Sequence, residues 1–231
     1  MEILSNISVD WDLGQVLSRL RVAPESEDAE QVEELLDQVE RTANPKAIYD
    51  LCYVGEKEQR TVEIGGVVFA SRVLRVNLEG AHRVFPYIAT CGRELEETPG
   101  GAGDALREYW LEELKVMALE AAVAYVQDRI ESKYRPGKMS AMSPGSLADW
   151  PITQQRELFS VFGDVEGKIG VRLTDSFLMV PIKSVSGMLF PTEASFESCG
   201  LCPREGCPGR RAPYDAHLWE ERYAEKPGEA D

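Results

Sequence analysis

Three cysteines near the end of the chain, Cys199, Cys202 and Cys207, stand in a C-x2-C-x4-C run threaded with glycine and proline. Sulfurs three residues apart reach one metal ion, and a turn at Gly206 would bring the third sulfur to the same ion. Thiolates of this kind suit zinc or an iron–sulfur cluster. The run itself holds no fourth ligand. Cys52, Cys91, His217, a carboxylate or a group from outside the chain are the candidates for it. The opposing reading is three free thiols in a frayed tail.

Other chemistry is spread along the chain. Glu120 falls beside an apolar helical stripe and among alanines, where a carboxylate meets a cationic ligand, a buried arginine or plain solvent. Ser143-Pro144-Gly145-Ser146 and Asp149-Trp150-Pro151 lie between two expected helices. Loops held by a rigid scaffold carry binding residues, and glycine admits a ligand close to the backbone. A Pro-Gly turn joining two helices would read the same way. Ser184-Val185-Ser186-Gly187 alternates hydroxyls with an apolar residue. In a strand that puts Ser184 and Ser186 on one face, lining a pocket or half exposed. Neither His82 nor His217 sits in a carboxylate–nucleophile arrangement, and no G-x-S-x-G, Walker A, H-E-x-x-H or strand–G-x-G-x-x-G–helix pattern is present. No catalytic residue is assigned.

The elements that must position these groups follow from periodicity. The spacing predicts helices over 12–21, 27–42 and about 103–133, the last with Leu106, Trp110, Leu114, Met117, Ala121 and Ala124 on one stripe. A fourth is expected over 152–162, with Thr153 as its cap. β-Branched runs predict strands near 49–54, 60–64, 67–69, 72–77, 84–90, 169–173, 177–181 and 184–190. Residues 137–150 read as a loop and 165–167 as a turn. Helix, strands, long helix, strands is not βαβα alternation. It predicts an α+β fold with a twisted, mostly antiparallel sheet and flanking helices. The division expected is a body over 1–198 and a cysteine-containing tail over 199–231, extended and held by metal, by Trp219 or by neither.

The 231 residues carry 25 Lys+Arg against 40 Asp+Glu, a formal charge of −15. That disfavours nucleic acid and anionic membrane surfaces as partners and allows a basic partner or a cationic ligand. No apolar run reaches the length of a membrane span, and the first residues do not read as a signal peptide. A cytoplasmic protein is expected, where thiols serve metal or redox chemistry before disulfides.

Several of these segments stand in an order that resembles the activation (reactivation) domain of vitamin B12-dependent methionine synthase, in a stand-alone form. The residues that carry the resemblance are Pro45-Lys46-Ala47-Ile48-Tyr49, Phe69-Ala70-Ser71, Leu78-Glu79-Gly80-Ala81 and Thr90-Cys91-Gly92-Arg93-Glu94. The later ones are Ser143-Pro144-Gly145 with Asp149-Trp150-Pro151, Pro181 to Gly187, and the terminal cysteines with Arg210. The resemblance implies an α+β fold and the repair of an oxidised corrinoid. In that repair an electron and the methyl of S-adenosylmethionine turn cob(II)alamin into methylcobalamin. It implies Glu120, Ser143, Pro144, Gly145, Ser184 and Ser186 as donor-binding residues. The cobalamin would ride on a partner methyltransferase, and a flavodoxin- or ferredoxin-like protein would give the electron. Cys199, Cys202 and Cys207 would hold an iron–sulfur cluster or zinc.

The chain departs from the family pattern in its loop. Where that pattern reads Arg-x-x-x-Gly-Tyr, the arginine position holds Ala141 and the tyrosine position Ser146, and Leu189 replaces a later aromatic. These departures set out a second expectation, a non-catalytic module that caps a corrinoid protein without binding S-adenosylmethionine. A third is a structural zinc protein with an unrelated partner.

Overall fold

The computed structural model describes residues 1–231 apart from 101–102, 194, 208 and 225–231. Strand β1 (Glu2–Leu4) precedes helices α1 (Leu13–Leu20) and α2 (Glu27–Thr42). Strands β2 (Lys46–Tyr49), β3 (Cys52–Lys57), β4 (Thr61–Ile64) and β5 (Val67–Ala70) follow. Then come helix α3 (Arg72–Asn77), strand β6 (Arg83–Thr90), the short helix α4 (Arg93–Glu96) and the long helix α5 (Ala105–Tyr134). The second half runs β7 (Met139–Met142), α6 (Gln155–Phe162), α7 (Val165–Ile169), β8 (Arg172–Leu173), β9 (Met179–Val180) and β10 (Ser184–Pro191). A 3-10 turn spans Ser198–Leu201 and a π-helical turn Trp219–Tyr223.

The expected α+β architecture is present. Strand β6 is the centre of an antiparallel sheet ordered β1-β2-β6-β3-β4-β5, with β10 on its other edge and β7 beyond β10. On one edge β6 pairs first with β2 (Thr90 opposite Lys46) and then with β3 (Val84 opposite Cys52). Pro86, which can donate no ladder hydrogen bond, sits where β2 gives way to β3, and its carbonyl takes the Asp50 N–H at 3.1 Å. On the other edge Ser184–Leu189 of β10 pairs with Thr90–Phe85.

Both faces of this centre are covered. Helix α5 lays Ala122, Val126 and Ile130 against Ala47, Tyr49, Phe85, Tyr87, Ala89 and Leu189. Helices α6 and α7 lay Phe162, Val165 and Ile169 against Ile48 and Ile88. Helices α1 and α2 pack on Trp110, Leu114 and Ala118 of α5. The cap residues explain where these helices start. Asp12 accepts from Gln15 N ahead of α1, Ser26 from Ala29 N ahead of α2, and Asp104 from Leu106 N and Arg107 N ahead of α5.

The structure corrects several expected elements. Residues 72–77 are a helix, although Val73 and Val76 favour strands. Ser71 Oγ accepts from Leu74 N at 3.0 Å and Asp149 Oδ2 from Val73 N at 2.9 Å, so the first turn's orphan donors are paired. Met139–Met142, expected as loop, form β7 because β10 offers a pairing edge. The turn at 165–167 is the first turn of α7, with Asp164 accepting from Gly167 N at 2.8 Å. Thr153 is not a helix cap: residues 152–154 are a 3-10 turn and no side chain caps either it or α6. The strands expected near 169–173 and 177–181 shrink to a two-stranded ribbon outside the main sheet.

The tail is fastened to the body through Tyr223 and Arg72. Tyr223 is buried, packs edge-on to Phe196 at 6.4 Å between ring centroids, and donates from its hydroxyl to Asn77 Oδ1 at 2.9 Å. The buried Arg72 donates from Nε to Tyr223 O at 3.2 Å. Trp219 lies against Tyr223 but remains more than a third exposed. Deleting a buried aromatic side chain typically costs about 3–5 kcal/mol, and losing one hydroxyl bond about 1 kcal/mol. Tyr223→Ala is expected to lower the urea midpoint strongly and Tyr223→Phe weakly, at unchanged slope. Equal midpoints for all three proteins would show the tail undocked in solution.

At the other end of the sheet Glu2 receives Lys133 Nζ at 2.7 Å, Arg129 Nε at 2.7 Å and the Tyr49 hydroxyl at 2.9 Å. The Lys133 bond leads in pulling its carboxyl from 4.5 down to about 2, against the upward push of burial. A depressed carboxylate contributes stability that is complete above its unfolded value and lost as pH falls through the folded one. Wild type should therefore lose stability between pH 4.5 and pH 2 more steeply than Glu2→Gln, read as unfolding free energy against pH. Parallel curves would remove Glu2 from the acid response.

Candidate functional site

The expected site residues fall in three places. Glu120 is on α5, and Arg19 of α1 grips it with two bonds, Nη1 to Oε2 at 2.7 Å and Nη2 to Oε1 at 3.2 Å. Glu113 takes Arg19 Nε at 3.3 Å. In this structure Glu120 is ion-paired with an arginine on an exposed helix seam. An open cleft of about 610 Å³ adjoins it, lined by Asp12, Gly14, Gln15, Ser18, Arg19 and Met117.

Ser143, Pro144 and Gly145 form a tight turn after β7. Gly145 has φ +84°, which glycine adopts without strain. Its N–H bonds Trp150 O at 2.7 Å, and the Ser146 hydroxyl donates to Ser143 O at 2.6 Å. Ser143 lies over β10 at Gly187. A Cβ on Gly187 would meet Met142 O at 2.7 Å, Ser143 Oγ at 2.8 Å and Tyr87 Cε1 at 3.2 Å. Only glycine lets β7 and its loop approach so closely. Tyr87 belongs to the cluster under α5, so Ser143 is on the α5 side of the sheet.

Ser184 and Ser186 are on the other side. They stand opposite Thr90 and Ile88 in register, and Ile88 is covered by α6 and α7. Ser184 Oγ donates to Thr90 Oγ1 at 2.9 Å and Pro181 O at 2.7 Å. Ser186 Oγ is buried without a hydrogen-bond partner among the described residues, as is Oε1 of Gln155 on α6. The alternation of hydroxyls was read correctly, but the sheet separates both serines from Ser143 and from Glu120.

The neighbouring Asp149-Trp150 segment is occupied with holding the fold together. Asp149 Oδ2 accepts from Ser71 Oγ at 2.6 Å as well as from Val73 N. The buried Trp150 donates from Nε1 to Gln154 Oε1 at 3.1 Å, and the same oxygen takes Ala70 N at 2.9 Å. This loop therefore ties α6 to β5 and α3.

The cysteine run is organised around a guanidinium. Arg210 donates to the carbonyls of Cys199 at 3.1 Å, Ala212 at 3.2 Å and Cys202 at 3.1 Å, and also to that of Arg204. Cys199 Sγ accepts the Arg211 N–H at 3.4 Å. The sequence expectation is that Cys199, Cys202 and Cys207 gather on one metal or cluster. Among the described residues no three His, Cys, Asp or Glu side chains come together to hold an ion. Arg211 also reaches towards the Ser143 side of the sheet. Burial pushes the Tyr87 phenol up, and the Arg211 charge pulls it back.

Residues 113–205 match the family profile described as vitamin B12 dependent methionine synthase, activation domain. The matched segment opens inside α5 ahead of Glu120 and closes after Cys202. A solved structure described as the MetH reactivation domain bound to AdoHcy shares the fold, with a TM-score of 0.57 and 18% identity over 86% of this chain and 81% of that chain. No curated protein matches the chain. Against the activation-domain pattern, two departures prove to be neighbours: Ala141 of β7 and Leu189 of β10 face each other in register. Both pack into the cluster beneath α5.

Sequence reasoning named Gly187 and Thr90 only within longer segments and did not single out Arg19. Arg19 and Glu120 are 101 positions apart, and nothing local links them. The signal for Gly187 was available, as a glycine inside an otherwise continuous strand. Among the described residues no helix is long and apolar enough to cross a membrane; α5 is long but charged.

The five thiols divide sharply. Burial pushes Cys91 up to about 12 and Cys52 up to about 11. Cys199 is exposed to the Arg211 N–H, which draws its pKa down from the ordinary thiol value. At neutral pH a thiol reagent such as Ellman's is expected to react quickly with the tail cysteines, Cys199 first. Cys52 and Cys91 should respond only after denaturation, because the thiolate is the nucleophile. Five thiols reacting at one rate in native buffer would contradict the buried placement of Cys52 and Cys91.

Proposed function

We propose that the chain is a reactivation component for a corrinoid-dependent methyltransferase such as methionine synthase, presenting S-adenosylmethionine to a cobalamin carried by its partner. The observation that carries this reading is the profile match over residues 113–205, which spans Glu120, Ser143, Pro144, Gly145, Ser184 and Ser186. The fold shared over 86% of the chain supports extending the reading to the N-terminal half. On this reading residues 1–198 are the activation-like body and 199–231 its tail. The setting is cytoplasmic.

The chemistry is an electron transfer followed by a methyl transfer. Cob(II)alamin takes one electron from a flavodoxin- or ferredoxin-like donor and becomes cob(I)alamin. The cobalt then attacks the methyl carbon of the sulfonium, and the carbon–sulfur bond breaks. Methylcobalamin and S-adenosylhomocysteine result. Cobalt and sulfonium carry the reaction, and the chain supplies position and charge. The Glu120 carboxylate suits a sulfonium cation, and Arg19 holds the same carboxylate, so donor and guanidinium compete for it. The close approach at Gly187 lets the Ser143 loop lie against β10.

A second reading has its own support. Ala141 and Leu189 form one apolar cross-strand pair where the family pattern has an arginine and an aromatic. A chain so altered would cap the corrinoid protein without binding S-adenosylmethionine.

Calorimetric titration of S-adenosylmethionine into the full chain separates the two. Reactivation requires binding that weakens by about tenfold or more in Glu120→Ala, the equivalent of one charged contact, and tightens in Arg19→Ala. The chain should also convert a partner's cob(II)alamin to methylcobalamin in the presence of a low-potential reductant, followed by the visible spectrum. Complex formation with the corrinoid protein but no binding at millimolar donor would replace the first reading by the second. Failure to associate with any corrinoid protein would remove both.

A further inference from the structure

The cysteine run remains unused by the reactivation reading, and its geometry suits a covalent reaction better than an ion. Cys199 and Cys202 stand at the two ends of one turn, where Cys202 N–H donates to Cys199 O at 3.2 Å. A turn closed in this way holds its end Cα atoms within about 7 Å, and disulfides span about 4.4–6.8 Å between Cα atoms. The turn is fixed from outside. One guanidinium, that of Arg210, bonds both cysteine carbonyls, and Asp215 N–H bonds Gly200 O at 2.9 Å. Both thiols are free and partly exposed, unlike the buried Cys52 and Cys91. Cys199 Sγ is the one that accepts a backbone N–H, from Arg211, and it lies next to two arginines. An electropositive, accessible setting marks a cysteine as a nucleophile.

We propose that Cys199 and Cys202 form a thiol–disulfide exchange site, with Cys199 attacking and Cys202 resolving, that takes a small disulfide as its substrate. The Cys199 thiolate attacks one sulfur of the incoming disulfide. A mixed disulfide forms on Cys199, and one thiolate leaves. Cys202 then attacks the Cys199 sulfur, its proton passing to solvent, and expels the second thiolate. The incoming disulfide is reduced to two thiols, and the two cysteines are oxidised to one intramolecular disulfide. Cys207 follows the turn with no part in its closing hydrogen bonds and takes no part in the exchange.

The test uses the full chain, freshly reduced, with oxidised glutathione as the probe and intact-mass and peptide-mapping readouts. Wild type is expected to become lighter by two hydrogens, with a single 199–202 link and no retained glutathione. Cys202→Ser should trap one glutathione on Cys199. Cys199→Ser should form no link, and its trapping of glutathione should be at least tenfold slower than in Cys202→Ser. Cys207→Ser should behave as wild type. Circular dichroism checks that each variant is folded. A link from Cys199 to Cys207, a stable glutathione adduct on wild type, or equal reactivity of Cys199 and Cys202 would each overturn the proposal. So would isolated protein that holds stoichiometric zinc or iron on these thiols and does not react. None of these outcomes depends on S-adenosylmethionine binding, so the site stands or falls apart from the reactivation reading.

Discussion

Strand β6 is the constraint on which the rest of the protein depends. It is buried from Val84 to Thr90, with apolar side chains on both faces, and every neighbouring layer is defined by contact with it. Such a strand has no solvent side to fall back on. Its backbone groups must be paired on both edges, because an unpaired buried donor costs about 1–3 kcal/mol. β10 satisfies one edge, and β2 followed by β3 satisfies the other. Once these ladders are set, the pleat decides which residues meet α5 and which meet α6 and α7. A slip of one residue would exchange the two sets. Ser184 and Ser186 would then face α5, and Val185 and Leu189 would leave their core.

The elements that could be read from the sequence are those with long periodic patterns. In α1, α2 and α5 the apolar residues recur at helical spacing, and Asp12, Ser26 and Asp104 cap the starts. The elements that could not be read owe their form to partners distant in sequence. Arg72–Asn77 has strand-like composition and becomes a helix because Asp149, far along the chain, joins Ser71 in pairing its first donors. Met139–Met142 lies in a stretch rich in Ser, Met, Gly and Pro and becomes a strand because β10 lies alongside. β1 is three residues long, below the length at which alternation carries information, and it was not anticipated.

The candidate site was legible as a set of residues and illegible as an arrangement. Glu120 was identified as a carboxylate in an unusual setting, but its partner Arg19 comes from a helix whose docking no local pattern announces. Ser143 is expected in the donor pocket with Ser186 nearby, and the sheet runs between them. Which face a strand residue takes depends on register, and register depends on turns and on the partner strand. The cysteine spacing leaves the shape of the loop open, because spacing alone cannot reveal that Arg210 bonds the carbonyls of Cys199 and Cys202. A motif states which atoms are near in sequence, and the guanidinium that shapes the loop is a tertiary fact.

Charge on the α5 side of the sheet follows the same logic. In the family pattern an arginine would stand at position 141, but here Ala141 faces Leu189 across the ladder and both join the cluster beneath α5. The two departures are thus cross-strand neighbours. Positive charge reaches this side from the tail instead. Arg211 pairs with Glu197 at 3.3 Å and is close enough to act on the buried Tyr87, which itself touches the space above Gly187. The tail is anchored through Tyr223 and Arg72 on one side and shaped by Arg210 on the other. Its arginines thus have fixed positions although the segment contains almost no regular structure.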